Sequence, residues 1–513
     1  MIDLTATQTL VLATCSLALA GNAAEAGEPL LHHDATAIRK AQEGIAAEMP
    51  IAQSDPHRPV YHFLPPARWM NDPNGAFFAD GWYHVFYQLN PYGNTWGHMH
   101  WGHARSRDNV FWERLPVAVW PSTEKGEDHC YSGSAVQDGK GNWQLWYTSV
   151  SKVRTKDKDK GPLAWVFNGQ VMLRPLDQQY VKWGKTTDDP VNHPTLPNNI
   201  DGYGWNNYIR DPTFFKADGR TFMLLGITGN KNSGGSVAPL YEAKNPELTA
   251  WTYRGTMTDY AWDCPQMIPF DDPATRAGAK RWMYVTSRGA PPRYYVGTFD
   301  PDTAKFTKKE EGTLDQGRNY HTISFATDDR ARHITYSWIC RTKGKGWNNC
   351  FALPRVVTLS QDGHPVQVPV PELSTLRGKH LRIADLSGSK VLEARGDTVE
   401  IRAVFNGADK GSCGLRVRRS DDGARALPIT YEQGALDVFG TTVNIAPQGP
   451  EKTLTLQVFL DKSIIEVFVN DGRKTVARVM YPPLEDQGIE VFTDGKAAVD
   501  VWQMKSIWKS AGE

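Results

Sequence analysis

The chain has 513 residues, and its 57 lysines and arginines are balanced by 57 aspartates and glutamates, so the formal net charge is zero. This length exceeds one ordinary hydrophobic core and predicts at least two domains. A chain with zero net charge has no electrostatic field that would favour binding to nucleic acid or to an anionic membrane, so we expect neither partner. The 18 Trp and 19 Tyr fit two roles, the filling of β-sheet cores or stacking on the C–H faces of sugar rings.

The N-terminus resembles an export signal. Residues 9–20 are an apolar run (TLVLATCSLALA), and residues 24–26 (AEA) offer a small-residue cleavage site, although the preceding residues contain Asp3 and no Lys or Arg. We therefore expect residues 1–26 to be a signal peptide and the mature protein to be secreted or periplasmic. No later segment reaches the roughly 18 uninterrupted apolar residues of a membrane-spanning helix.

Cysteine usage argues against a metal site. Beyond the leader the cysteines are Cys130, Cys264, Cys340, Cys350 and Cys413. None forms a C-x-x-C pair, and no His pair lies near them at zinc-ligand spacing. Cys340 and Cys350 flank a predicted hairpin and could form a disulfide. A nucleophilic Cys264 would need a nearby His base, which the sequence does not identify.

Strand patterns dominate the chain after one predicted helix, at residues 34–49, within an N-terminal appendage covering residues 27–57. A turn followed by an apolar, aromatic-rich segment then recurs five times, at residues 80–87, 138–149, 218–228, 279–287 and 328–339. The repeats are roughly 50 to 80 residues apart, which fits four-stranded units. We therefore predict a five-bladed β-propeller over residues 58–368.

The last part of the chain has a different pattern. From residue 375 to residue 513 short strands with period two follow one another at about ten-residue spacing, and Asn470-Asp471-Gly472 closes a hairpin. This pattern is typical of a β-sandwich. The predicted fold class is therefore all-β, with a propeller followed by a C-terminal sandwich.

Three aspartates lie among rigid or turn-forming residues: Asp72 in WMNDPNG, Asp211 in RDP and Asp263 in AWDCPQM. Each one alone is more often a turn-capping residue. Each falls in a different predicted blade, however, and blades bring such residues together at a central pocket. Cleavage of a glycosidic bond needs one carboxylate at the anomeric carbon and a protonated one at the leaving oxygen. A third anion nearby helps to keep that acid protonated.

With these motifs the chain resembles glycoside hydrolase family 32, the β-fructofuranosidases, over about residues 58–505. WMNDPNG at residues 69–75, RDP at 210–212 and IIEVFVNDG at 464–472 carry the resemblance. It implies a propeller and a sandwich, and it implies retention of configuration, with Asp72 as nucleophile, Asp211 as transition-state stabiliser and Asp263 as acid/base. The predicted substrate-binding residues are Trp69, Asn71, Gln88, Trp96, Tyr131, Ser132 and Arg210. The expected partner is sucrose or a fructan, and no metal or organic cofactor is implied.

The chain departs from the family pattern around its predicted acid. The family's usual Trp-Glu-Cys-Pro-Asp reads Trp-Asp-Cys-Pro-Gln here, at residues 262–266. Asp263 is one methylene shorter than Glu, and a misplacement of about 1 Å can cost about a hundredfold in rate. Gln266 removes a carboxylate that would help to keep the acid protonated. Asn319 likewise stands where the family usually has an acidic residue.

Three interpretations follow from these departures: an active β-fructosidase whose backbone brings Asp263 into reach, a fructosyltransferase on the same scaffold, or a weakened fructan-binding protein. The retained nucleophile, Asp72, favours an enzyme, because a pure binding protein has no need of it. The segment 96–101 (WGHMHW) resembles the double-Trp loop of the polymer-degrading members of the family, and this resemblance favours inulin or levan over sucrose as substrate.

Overall fold

The computed structural model describes residues 30–154, 163–197, 209–227, 237–271, 280–287 and 289–508, so the predicted signal peptide lies outside the described residues. Blade I is formed by β1 (Arg68–Ala79), β2 (Trp82–Asn90), β3 (His100–Ser106) and β4 (Trp112–Val119). Blade II is formed by β5 (His129–Gln137), β6 (Trp143–Arg154), β7 (Leu163–Pro175) and β8 (Trp183–Lys185), with β9 (Leu196–Pro197) beside β7. Blade III is formed by β10 (Ile209–Ala217), β11 (Arg220–Ile227), β12 (Pro239–Ala243) and β13 (Trp251–Thr256).

Blade IV is formed by β14 (Asp263–Asp271), β15 (Lys280–Ser287), β16 (Arg293–Asp300) and β17 (Lys305–Thr313). The strands of blade V are β18 (Tyr320–Thr327), β19 (His333–Ile339), β20 (Trp347–Asn348), β21 (Cys350–Phe351), β22 (Arg355–Leu359) and β23 (Pro365–Pro369). Of these, β20 crosses to blade I and pairs in parallel with β1, which closes the ring between the last blade and the first. The five predicted turn-and-strand repeats correspond to β2, β6, β11, β15 and β19, so the propeller prediction is confirmed.

The C-terminal strands form the predicted β-sandwich. They are β24 (Arg377–Val391), β25 (Thr398–Asn406), β26 (Cys413–Arg419), β27 (Leu427–Glu432), β28 (Ala435–Val438), β29 (Thr442–Asn444), β30 (Leu454–Asp461), β31 (Ile464–Val469), β32 (Lys474–Val479) and β33 (Gly488–Met504). The long strand β33 pairs with β24, β25 and β26 and so joins the two halves. Alternating Val, Ile and Leu side chains from these strands fill a core of their own.

The predicted N-terminal helix is α1 (Ala35–Ala46), followed by a short helix α2 (Met49–Gln53). Asp34 caps α1, because its Oδ1 accepts hydrogen bonds from the backbone N–H groups of Thr36 and Ala37, each at 2.9 Å. Ile38 and Ile45 are buried against blade I, so α1 packs into the propeller and is not a loose appendage. Neither described helix is long and apolar enough to span a membrane.

A buried charge network joins the propeller to the sandwich. The His62 ring, which precedes β1, contacts Asp461 Oδ2 at 2.8 Å and Glu466 Oε1 at 3.0 Å. Arg355 of blade V binds the other oxygen of Glu466 and also Asp315 Oδ2, at 3.2 Å. All five side chains are buried, so these charges are stabilised by one another, and the contacts of His62 and Arg355 with Asp461 and Glu466 cross between the two domains.

Candidate active site

The five innermost strands, β1, β5, β10, β14 and β18, contact one another around the propeller axis, and each carries a β-bulge. The register shifts are Met70 to Pro73, Tyr131 to Gly133, Arg210 to Thr213, Asp263 to Gln266 and His321 to Ile323. A bulge adds one residue to a strand and redirects its side chain, and bulges are common beside active sites. The residues inside the five bulges include Asp72, Ser132, Asp211, Cys264 and Thr322. We name these five residues the axial ring.

Asp72 is held from three sides by other members of the axial ring. Ser132 Oγ donates to Asp72 Oδ2 at 2.7 Å, and Thr322 Oγ1 donates to Asp72 Oδ1 at 3.1 Å. Cys264 Sγ lies 3.5 Å from Asp72 Oδ2. The three donors come from blades II, V and IV, so the orientation of this carboxylate depends on the closed propeller. The arrangement fixes the carboxylate in one orientation, as a nucleophile requires.

Asp211 lies deeper and is almost fully buried, 4% exposed. Its Oδ2 accepts a hydrogen bond from the backbone N–H of Cys264 at 2.9 Å, and its own N–H donates to Thr148 Oγ1 at the same distance. The backbone φ is 60° at Asp211 and 50° at Cys264, in the left-handed region that non-glycine residues rarely adopt. Strain of this kind is typical of functional sites, where the surrounding structure holds it in place.

Arg210 links the other two carboxylates, Asp211 and Asp263. Its Nη2 donates to Asp263 Oδ1, and its Nε lies 3.6 Å from Asp211 Oδ2. The Arg210 side chain is 14% exposed, whereas the Asp263 side chain is 37% exposed. Asp263 is thus the carboxylate of this pair that is open to the cavity, where a substrate oxygen or a water molecule can reach it.

Burial raises the pKa of Asp211 to about 7, and the charges of Asp263 and Asp72 act in the same direction, against Arg210 and the Cys264 N–H. Burial also raises the pKa of Asp263, aided by the charge of Asp72 and opposed by Arg210. One arginine cannot balance three carboxylates in a confined site. Burial and like charges therefore favour the protonated forms of Asp211 and Asp263, and a raised pKa is the condition that a general acid requires.

The Cys264 thiol is a hydrogen-bond donor in this site. Burial raises its pKa well above the ordinary value, and the charges of Asp211 and Asp72 raise it further. Its Sγ lies 3.5 Å from Asp72 and 3.6 Å from Asp211, so a thiolate there would be repelled by both carboxylates. The nucleophilic alternative for this cysteine is thereby disfavoured.

A cavity of about 370 Å³ opens above the axial ring. Of the predicted site residues it is lined by Asn71, Asp72, Gln88, Trp96, Tyr131, Ser132, Arg210, Asp211 and Asp263. Trp69 is not among the lining residues. Its Nε1–H instead donates to Asn71 Oδ1 at 2.9 Å, which leaves the amide NH₂ of Asn71 available to a ligand. Gln88 similarly donates to the Cys130 carbonyl oxygen and leaves its own buried oxygen without a partner.

The sequence did not identify four residues at this site: Trp165 and Phe167, which line the cavity from β7, and Thr322 and His321 of blade V. Trp165 and Phe167 are two residues apart, and aromatic residues at this spacing on a strand lie on one face of it. This spacing was the sequence pattern that could have indicated an aromatic surface. His321 packs on Trp338 with ring centroids 4.9 Å apart, and its buried Nδ1 has no hydrogen-bond partner among the residues that the structure describes. Burial lowers the pKa of His321, although the charges of Asp72 and Asp263 oppose this.

The other unusual residues of the sequence lie away from the carboxylates. Gln266 lines a second cavity of about 310 Å³ at the opposite end of the inner strands, and the lining of that cavity contains no carboxylate. Asn319 donates to the Cys340 carbonyl oxygen at 2.8 Å and accepts from the Val479 N–H at 3.1 Å, so it links blade V to the sandwich. An ionised carboxylate could accept but not donate there.

The disulfide considered for Cys340 and Cys350 is not formed, and both are free and buried. The pairing of β19 with β21 places Cys350 opposite Ile339, one residue before Cys340. Because successive side chains on a strand point to opposite faces, this register directs the two thiols to different sides.

Two family models match the chain. One, described as "Glycosyl hydrolases family 32 N-terminal domain", matches residues 62–369, and the other, described as "Glycosyl hydrolases family 32 C terminal", matches residues 372–509. The chain belongs to glycosyl hydrolase family 32. The resemblance that the sequence motifs carry is thus confirmed.

Known family 32 sequences and structures resemble the chain over most of its length. A levanase of Bacillus subtilis (strain 168) is 29% identical, over 88% of this chain and 71% of the levanase. A sucrose-6-phosphate hydrolase of the same organism is 27% identical, over 91% of this chain and 98% of its own length. The crystal structure of exo-inulinase from Aspergillus awamori superposes with a TM-score of 0.75 at 23% identity, over 89% and 99% of the two chains. This last likeness supports the fold.

Proposed function

We propose that this family 32 protein is a retaining β-fructosidase that hydrolyses terminal β-D-fructofuranosyl bonds of fructans or sucrose. The observation that carries the proposal is the arrangement around Asp72: one carboxylate fixed by Ser132 and Thr322, in the same cavity as a second carboxylate that is open to solvent and paired with Arg210. The names of the related levanase and sucrose-6-phosphate hydrolase support the substrate class.

In the first step Asp72 attacks the anomeric carbon of the fructosyl group while Asp263 gives its proton to the departing oxygen. The bond from Asp72 to carbon forms as the glycosidic bond breaks, and the leaving sugar takes the proton. In the second step Asp263, now ionised, accepts a proton from water, and that water releases fructose from Asp72. Two displacements at one carbon retain its configuration.

Asp211 and Arg210 support this chemistry without forming bonds to carbon. Asp211 is positioned to accept hydrogen bonds from hydroxyl groups of the bound fructosyl ring. Such bonds favour its ionised form and hence its interaction with the positive charge that develops on the ring. The positive charge of Arg210 reduces the repulsion between Asp211 and Asp263. Its contact with Asp263 orients that carboxylate toward the cavity.

The test is the release of free fructose from sucrose, inulin and levan by the purified protein, with Asp72→Asn and Asp263→Asn as variants. We expect release by the wild-type protein and its loss in both variants. Binding without release from any of the three substrates would leave a fructan-binding protein. Longer oligosaccharides as the main products at high sucrose would identify a fructosyltransferase instead.

We also propose that the protein is exported, on the strength of the apolar run at residues 9–20 and the small residues at 24–26. Mass spectrometry of the protein recovered from the periplasm or the medium tests this. We expect an N-terminus that begins after Ala26. A full-length chain that remains in the cytoplasm would contradict the proposal.

A further inference from the structure

One hairpin of blade II projects beyond the inner strand of its own blade. The first residue of β5, His129, pairs with Val150 of β6, yet β6 and β7 remain paired as far as Arg154 and Leu163. Four residue pairs thus extend past the start of β5, about 13 Å at the rise of a strand. In blades I, IV and V the second strand, as far as it is described, ends level with the inner strand.

The projecting hairpin presents aromatic side chains to the active-site cavity. Trp165 and Phe167 of β7 both line it, and they meet Trp96 and Tyr131 there. The Trp165 ring centroid lies 5.5 Å from that of Trp96 and 6.2 Å from that of Tyr131. Lys152, opposite Trp165 on β6, holds its ammonium group 4.7 Å from the indole centroid, a cation–π contact that fixes the ring.

The register of blade II gives the height of Trp165 above the carboxylates. Asp211 donates its N–H to Thr148, and Thr148 is paired with Gln170 of β7. Gln170 therefore marks the level of the axial ring. Trp165 is paired with Lys152, which lies four residues beyond Thr148 along β6, so Trp165 is about 13 Å closer to the mouth at the rise of a strand.

The group being transferred must lie deep in the cavity, because reacting atoms approach to about 3–3.5 Å before a bond forms. The fructosyl carbon therefore lies against Asp72, at the level of the axial ring. Trp165 lines the same cavity well above that level. The part of the substrate that contacts Trp165 therefore belongs to the leaving group, beyond the glycosidic bond that breaks.

We propose that Trp165 is a specificity-determining residue for the leaving group, whose sugar ring stacks against its indole. The inference rests on the proposed fructosidase function. The C–H face of a neutral sugar ring, glucosyl or fructosyl, is the chemistry that an indole recognises, and the half-buried Trp165 keeps part of its ring accessible. Phe167 is buried beside Arg210, with 5.5 Å from the guanidinium to its ring, and supports the lower part of the same wall.

The test compares donors that share the fructosyl group and differ in what leaves. Methyl β-D-fructofuranoside loses methanol, whereas sucrose and a short inulin oligosaccharide lose a sugar. For Trp165→Ala we expect kcat/KM to fall about tenfold or more for the sugar-leaving donors and to change less than about twofold for the methyl donor. Trp165→Phe retains a ring and recovers most of the loss.

Trp143→Ala is the matched control, because Trp143 is a half-buried tryptophan of the same hairpin at its opposite end, stacked on Phe77. We expect the ratio of the two kcat/KM values to stay unchanged in this variant. Equal losses on the methyl and sugar-leaving donors in Trp165→Ala, or no loss on either, would overturn the inference.

A binding measurement separates this inference from the proposed function. Calorimetry with Asp72→Asn and Asp72→Asn/Trp165→Ala compares the affinity for sucrose with that for methyl β-D-fructofuranoside, and it does not depend on turnover. Weaker binding of sucrose alone in the double variant supports the inference even if the wild-type protein releases no fructose. Equal weakening of both ligands contradicts it.

Discussion

Replacement of Arg210 by glutamine tests the electrostatic balance of the site. Arg210 donates to Asp263 and lies 3.6 Å from Asp211, so the variant leaves three carboxylates around the cavity without their cation. Loss of one partner of a fully buried ion pair costs about 3–5 kcal/mol. Because the Asp263 side chain is 37% exposed, solvent screens part of the interaction energy between Arg210 and Asp263. The cost of losing Arg210 is therefore closer to that of a charge-assisted hydrogen bond, about 1.5–3 kcal/mol. We expect kcat/KM to fall by about 10- to 100-fold.

The same variant should shift the pH dependence in a defined direction. Arg210 opposes the upward shifts of the pKa of Asp211 and of Asp263, so its removal lets both values rise. The proposed mechanism needs Asp211 ionised and Asp263 protonated, so we expect both limbs of the bell-shaped profile of kcat/KM to move to higher pH. The assay is fructose release from sucrose across the pH range, measured at sucrose concentrations well below KM.

Arg220→Gln serves as the control for this experiment. Arg220 belongs to the same blade and also binds two carboxylates, Glu242 at 2.7 Å and Asp302 at 2.9 Å, but it lies outside the active-site cavity. Its profile should match that of the wild-type protein. A profile for Arg210→Gln that stays in place or moves to lower pH would refute the electrostatic account of the site.

Three further variants probe other parts of the structure. Asp263→Glu should lower kcat/KM, because one more methylene displaces a carboxylate that is already bound to Arg210, and about 1 Å of misplacement costs about a hundredfold in rate. A gain in kcat/KM would mean that the shorter side chain of Asp263 limits the rate of the wild-type protein. Ser132→Ala removes the 2.7 Å donor to Asp72 and should lower kcat/KM about tenfold or more, whereas Ser134→Ala, two residues along β5, should leave it within about twofold. Burial lowers the pKa of His62, but its hydrogen bonds to Asp461 and Glu466 outweigh this and raise the pKa from 6.5 to about 9. The stabilisation of the folded protein by these bonds is therefore complete below pH 6.5 and is lost as the pH rises through 9. In urea unfolding His62→Gln should therefore cost about 3 kcal/mol at pH 6 and little near pH 10, and equal losses at both would contradict the ionic role.

The sequence predicted the architecture because its signals are local. Turn residues followed by aromatic-rich apolar segments mark the second strand of every blade, and period-two strands mark the sandwich. The three aspartates were identifiable because each lies in a motif with rigid neighbours. Their convergence followed from the assignment of the three motifs to different blades, which is a property of propellers in general.

Other features of the site depend on pairings between distant segments. Thr322 reaches Asp72 only because ring closure places β18 of blade V beside β1 of blade I, although the two residues are 250 residues apart in sequence. Trp165 enters the cavity because β6 and β7 extend beyond β5, a register that composition does not reveal. Trp69, a predicted substrate-binding residue, does not line the cavity, and its indole N–H donates to the side-chain oxygen of Asn71, which does line it. No local pattern distinguishes such contacts.

The proposed mechanism depends on a covalent bond between Asp72 and the fructosyl carbon. The most direct measurement is acid quenching of the enzyme during turnover of sucrose, followed by peptide mass spectrometry. We expect one added fructosyl residue on the peptide that carries Asp72, and its absence from Asp72→Asn treated in the same way. A fructosyl adduct on a peptide that carries Asp211 or Asp263 instead would contradict the account.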